Sequence, residues 1–160
     1  MAKKYELVTD DTTTIGKTTL YRIKALISFS DVNVGDLGGY IESEDNLSHE
    51  GNCWVYDFGK VHDIARVYEN GTVHGNAQMH GRSQLYGNGS MTGDSCIFDN
   101  VQVYENGELR GMTRLYDEVQ VYGNGKVKGN SNIHGSIQIY EDSILEDVVI
   151  DYDHDRCELP

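Results

Sequence analysis

Basic residues are scarce in this chain: 13 Lys and Arg stand against 26 Asp and Glu, for a formal net charge of −13. A surface of that sign repels phosphate backbones, so direct nucleic-acid binding is disfavoured. A protein that occupies another protein's nucleic-acid-binding site stays open. Apolar residues are also few, at 38%, and proline occurs once. That is a poor supply for a helical bundle, whereas 18 glycines suit a fold with many tight corners. Cys53, Cys96 and Cys157 form no CxxC or other metal-ligand spacing, and their number is odd. The opening MAKKYELVTDD has no apolar leader core, and no run approaches a membrane span. The expectation is a cytoplasmic, non-membrane chain of one domain, within which three N-glycosylation sequons are chance matches.

What the sequence does have is a repeat. From His49 to Ile150 it divides without a gap into hexads: HEGNCW VYDFGK VHDIAR VYENGT VHGNAQ MHGRSQ LYGNGS MTGDSC IFDNVQ VYENGE LRGMTR LYDEVQ VYGNGK VKGNSN IHGSIQ IYEDSI LEDVVI. The first position is Val, Leu, Ile or Met in all but His49, the fifth is small or β-branched, and Gly, Asp, Glu and Asn crowd the third and fourth. One large and one small inward residue per hexad fill a narrow triangular prism, and the polar pair between them turns each corner. Each large inward residue contributes about 1.5–3 kcal/mol by burial, realised only when coils stack.

Three hexads make one coil, because residues 18 apart match better than residues 6 apart. VYENG at 67, LYGNG at 85, VYENG at 103, VYGNG at 121 and IYEDS at 139 form one column. Tyr68, Tyr86, Tyr104, Tyr122 and Tyr140 therefore stack on one edge, and Asn70, Asn88, Asn106 and Asn124 make a second ladder. The third position in this column runs Glu69, Gly87, Glu105, Gly123, Glu141, which keeps like charges two coils apart, about one Debye length. Large apolar residues recurring every six exclude a helical reading.

The expected fold is all-β: a single-stranded left-handed β-helix with an N-terminal β-hairpin cap. Residues 4–9 and 18–27 are its two strands, and 31–48 form an irregular first turn, so that residues 1–48 cap the hexapeptide helix of 49–150. Ile139, Leu145 and Val149 still fit the repeat, and 151–160 form a loose acidic tail.

The stretch RIKALISFSDVNVGDLGGYIESEDNLSHEGNCWVYD at 22–57, running into the hexads, resembles the YdcK-like proteins of the hexapeptide-repeat superfamily. Such chains often carry a transferase label and are frequent in phages and prophages. The resemblance implies the left-handed winding, contrary to the usual crossover rule, and a mobile-element origin. It implies no chemistry, since the label follows the fold. Acyltransferases of this superfamily work as trimers, with a catalytic His near the subunit interface and a projecting loop. Here the hexads leave no insertion to form that loop, and no C-terminal helix is expected.

The candidate sites each have a plain structural alternative. His62, His80 and His134 share an outer column with Phe98 and Tyr116, which reads as a stacking ladder ahead of a catalytic row. A single metal site cannot join all three, because His134 lies three coils beyond His80, and Asp153-His154-Asp155 reads as a solvated terminus. Gly16-Lys17-Thr18 lacks the upstream glycine of a P-loop, Asp11 standing in its place. Arg110, Arg114, Lys126 and Lys128, with His74 two coils above Arg110, could hold a phosphate or carboxylate, or simply balance Glu108 and its neighbours. The tyrosine and histidine ladders could form a homotrimer seam, meet a foreign partner, or only stack coil on coil.

These readings favour a non-enzymatic, oligomeric binding protein of phage or prophage type, trimeric by expectation, acting in the host cytoplasm without a cofactor, metal or catalytic residue. It would inhibit or sequester a host factor, either as an acidic mimic of nucleic acid that blocks a defence protein or by holding a small nucleotide signal. An acyltransferase-like enzyme using an intersubunit cleft, or a structural module, is the alternative.

Overall fold

A computed structural model describes residues 3–150; the acidic tail at 151–160, with its Asp-His-Asp triplet, lies outside the described residues. The described residues are all-β apart from one 3-10 turn, Glu44–Asn46. Short strands stack in parallel on three faces of a β-solenoid with hexapeptide-type repeats. One face carries His62, His80, Phe98, Tyr116 and His134 just after strands Lys60–Val61, Gln78–Met79, Cys96–Ile97, Arg114–Leu115 and Asn132–Ile133. The tyrosine face follows from Arg66–Val67 to Gln138–Ile139, and the third face runs from Trp54–Val55 to Ile144–Glu146.

The hexad pattern dictates this arrangement. The first-position residues from Val55 to Ile139 are buried, and small fifth-position residues such as Ala65, Ala77, Ser83 and Ser95 fill the prism between them. The register is 18 residues throughout the centre: Gln84 pairs with Gln102 and Gln102 with Gln120. Every third position from Asp57 to Asp147 is Gly, Asp or Glu, and every one has positive φ. The corners are thus left-handed single residues, which glycine adopts freely and which acids enter at a cost of about 1–2 kcal/mol.

At the N-terminus the hairpin is longer than the sequence suggests. β1 (Tyr5–Ile15) and β2 (Thr18–Ala25) pair antiparallel, and β2 then pairs with β3 (Leu37–Ile41), which belongs to the histidine face. The segment 31–48 is therefore not wholly irregular: β3 is already a rung. Its register is 20 residues, with Ile41 opposite Val61 and Leu47 bridged to Val67. The two extra residues lie before Trp54, where the 18-residue register begins. This explains the misfit of His49: Leu47 fills the core in its place, and His49 serves the cap. His49 Nδ1 accepts the Lys4 N–H at 3.1 Å, its ring stacks on Tyr5 at 4.1 Å, and Nε2 meets Glu44 Oε1 at 2.9 Å.

Lys4 closes the prism from above. It is 1% exposed, and its Nζ donates to the carbonyls of Cys53 at 2.6 Å and Gly51 at 3.3 Å while lying over the Phe29 ring. At the far end the register slips once more. Asn132 pairs with Val149 and Ile133 with Ile150, 17 residues apart. Val149, expected to point inward, is 74% exposed, and Ile150 takes the inward column. The corner there is one residue short, tied by Asp147 Oδ1 accepting the Asn130 N–H and Ser131 Oγ accepting the Val148 N–H. No helix among the described residues is long and apolar enough to cross a membrane.

Candidate functional site

The tyrosine column forms as a continuous stack. Ring centroids from Tyr68 to Tyr140 are 4.8, 5.0, 5.1 and 5.5 Å apart, with planes within 10° of parallel. The hydroxyls of Tyr68, Tyr86, Tyr104 and Tyr122 donate to Gln84, Gln102, Gln120 and Gln138 at 3.0–3.1 Å. Burial, with neighbouring tyrosines and glutamates, pushes the Tyr86 phenol up to about 12, so it stays a neutral donor. Beside it runs the amide ladder, Asn70 to Asn88 to Asn106 to Asn124 and on to Asp142, at 3.0–3.5 Å.

The ladder's ring faces are turned to one another. A base slipped between two rings would need about 7 Å, twice the rise of stacked bases. The tyrosines thus present ring edges, not faces, to the outside. The histidine column behaves alike: His62, His80, Phe98, Tyr116 and His134 stack at 4.6–5.1 Å.

The basic cluster is only partly assembled. Arg110, Lys126 and Lys128 share the third face. Arg110 Nε contacts Glu108 Oε1, Lys126 Nζ lies 3.8 Å from Glu108 Oε2, and Lys128 Nζ lies 3.7 Å from Glu146 Oε2. Arg114 sits on the histidine face, its guanidinium 5.1 Å over the Phe98 ring. His74 stacks on Tyr56 at 4.4 Å, and burial lowers its pKa, so it is neutral at pH 7 and adds no cation. Two carboxylates, Glu108 and Glu146, thus offset most of the charge of the three cations on this face.

The corners carry a feature that charge spacing alone does not explain. Six acids at left-handed third positions reach the backbone N–H of the same corner one coil on, whereas Asp147 reaches back to the Asn130 N–H. Asp57 accepts from Gly75, Asp63 from Gly81 and Glu69 from Gly87 at 3.0–3.1 Å. Asp99 accepts from Asp117, Glu105 from Gly123 and Asp117 from Gly135 at 2.8–3.1 Å. Asp99 and Asp117 are neighbours in one column, so repulsion does not govern the pattern; coil-to-coil capping does. The signal was present in the sequence as the restriction of this position to Gly, Asp and Glu. The result is rows of fixed carboxylates flanking open grooves, one lined by Gly81, Arg82, Asp99, Asn100, Asp117 and Glu118.

Chemically reactive groups are muted. Burial raises the thiols of Cys53 and Cys96, which keeps both protonated near neutrality. His134 Nδ1 lies 3.0 Å from Asp117 Oδ2, a carboxylate–histidine pair of the kind that orients an imidazole for proton transfer.

No family model matches the chain. A stretch of 38 residues is 50% identical to a protein named Uncharacterized acetyltransferase YdcK from Escherichia coli (strain K12). The match covers 24% of this chain and 12% of that protein. The solenoid is consistent with hexapeptide-repeat proteins, and the shared stretch is short.

Proposed function

We propose that this protein is a non-enzymatic binding module of phage or prophage type that acts through its acidic corners. Its partner is a host protein with a basic, nucleic-acid-binding surface, which the module occupies as a mimic, and its working state is a homo-oligomer, a trimer by superfamily analogy. The observation that carries this reading is the set of corner carboxylates, held by backbone hydrogen bonds on the solenoid of a chain whose net charge is −13. Fixed charges lose little entropy on docking and steer a basic surface into contact. The local balance of Arg110, Lys126 and Lys128, and the mutual stacking of the tyrosines, make nucleotide sequestration the weaker mechanism. The test is capture from host lysate on the immobilised protein. Recovery of nucleic-acid-binding proteins that duplex DNA displaces would support the reading. Recovery of none would leave the structural-module reading in its place.

A second reading, an acyltransferase-like enzyme, is favoured by the short match to a protein named an acetyltransferase and by the His134–Asp117 pair. Calorimetry with acetyl-coenzyme A separates the two. Tight binding abolished by His134→Ala would establish the enzyme; absence of binding would remove it.

A further inference from the structure

Where the cap meets the regular coils, three ligand-type side chains converge. Glu42 follows β3, while His62 and Asp63 follow the Lys60–Val61 strand that pairs with β3. One donor atom from each lies within 4.8 Å of the other two. His62 is 7% exposed, and its Nδ1 is fully buried without a hydrogen-bond partner among the described residues. An orphaned buried ring nitrogen has lost the hydrogen bond that water gave it in the unfolded chain. This one lies 3.5 Å from Asp63 Oδ1, too poorly placed to count as a hydrogen bond.

The two carboxylates are already oriented by the backbone. Asp63 Oδ2 accepts the Gly81 N–H at 3.0 Å, which leaves Oδ1 toward His62. Glu42 Oε1 accepts the Asp63 N–H at 3.2 Å. The His62 ring is fixed by stacking on His80 at 5.1 Å. In a tetrahedral zinc site with bonds of about 2.1 Å, adjacent ligand atoms stand about 3.4 Å apart. The His62–Asp63 separation already fits that edge, and the Glu42 donor atom lies within 4.8 Å of both.

We propose that Glu42, His62 and Asp63 form a binding site for a divalent transition-metal ion of the zinc class, with water as the fourth ligand. The imidazole selects such ions over magnesium and calcium, which prefer all-oxygen shells. The ion would pin the 20-residue cap turn to the first regular coil, and would stabilise the fold by mass action.

The test uses the full chain free of any histidine tag, titrated with Zn2+ by calorimetry and with Co2+ by visible absorption. One ion is expected per chain, with d–d bands of a low-symmetry Co2+ site and a rise in melting temperature. His62→Phe keeps the stack, since Phe98 occupies the same column, and removes the nitrogen. Loss of an outer-shell partner alone weakens metal sites by about 10- to 100-fold, so His62→Phe should cost at least about 100-fold. Glu42→Gln retains an acceptor for the Asp63 N–H and should cost about tenfold or more. No binding by the wild type, or undiminished binding by folded His62→Phe or by Glu42→Gln, would overturn the proposal.

Discussion

Replacing Glu105 separates the two contributions of a corner acid, its left-handed backbone and its cap. Its φ is +50°, and its carboxylate accepts the Gly123 N–H at 2.8 Å. A hydrogen bond to a charged group is worth about 1.5–3 kcal/mol when sheltered, and about 1 kcal/mol on an exposed corner such as this. The left-handed backbone costs a non-glycine residue about 1–2 kcal/mol. Glu105→Ala loses the bond and keeps the strain, so it should destabilise by about 1 kcal/mol. Glu105→Gly loses the bond and releases the strain, so it should be near neutral. For a chain of this size the two variants should melt about 2–8 °C apart, with glycine higher. Glu105→Gln, which keeps an acceptor without the charge, should fall between alanine and wild type. Circular-dichroism melts under one buffer and scan rate decide the matter. Glu105→Ala as stable as Glu105→Gly would refute the account of the corners.

Other expectations follow from the same contacts. Tyr104→Phe removes the bond to Gln120 and should cost under about 1 kcal/mol, whereas Tyr104→Ala also breaks stacking on both sides and should cost several times more in urea unfolding. Lys4→Ala strips the Cys53 and Gly51 carbonyls of their donor and should cost about 2–4 kcal/mol, read as a lower urea midpoint. Burial sets the His74 pKa below 6.5 in the folded state, so the unfolded chain takes the proton first as pH falls. Stability from His74 is therefore full above pH 6.5 and declines as pH falls through the folded pKa. Melting temperatures measured from about pH 7.5 to 5 should fall less steeply for His74→Phe than for wild type; parallel curves would contradict the assignment.

The regular coils were legible because each hexad repeats the same physical demand: a large inward residue, a small one, and a corner. Stacked Tyr68–Tyr140 and the Asn70–Asn124 amides followed directly from the 18-residue period. The ends were harder to read, since each breaks that period. Two extra residues before Trp54 put Leu47 where the repeat would place His49, and one missing residue near Asp147 turns Val149 outward. Lys4 looks like the start of an ordinary strand, and only the closed prism beneath it reveals carbonyls to cap. The corner acids were visible as a composition rule, but their reach to the next coil needs the positive φ that composition does not display. Glu42 escaped notice as a partner of His62 because it lies outside the hexads and in the shifted register.

The most direct measurement of the central claim is the affinity of a captured host protein for wild type and for Asp94→Asn/Glu118→Gln/Asp142→Asn, each titrated against salt. These exposed acids each follow the left-handed residue of a corner, so the substitutions lower the charge of the corners while sparing the caps, and Asp142→Asn keeps an acceptor for Asn124. Recognition through acidic corners predicts affinity that falls with ionic strength and a triple variant that binds more weakly and with a shallower salt dependence. Affinity that is indifferent to salt and equal in the two proteins would contradict it.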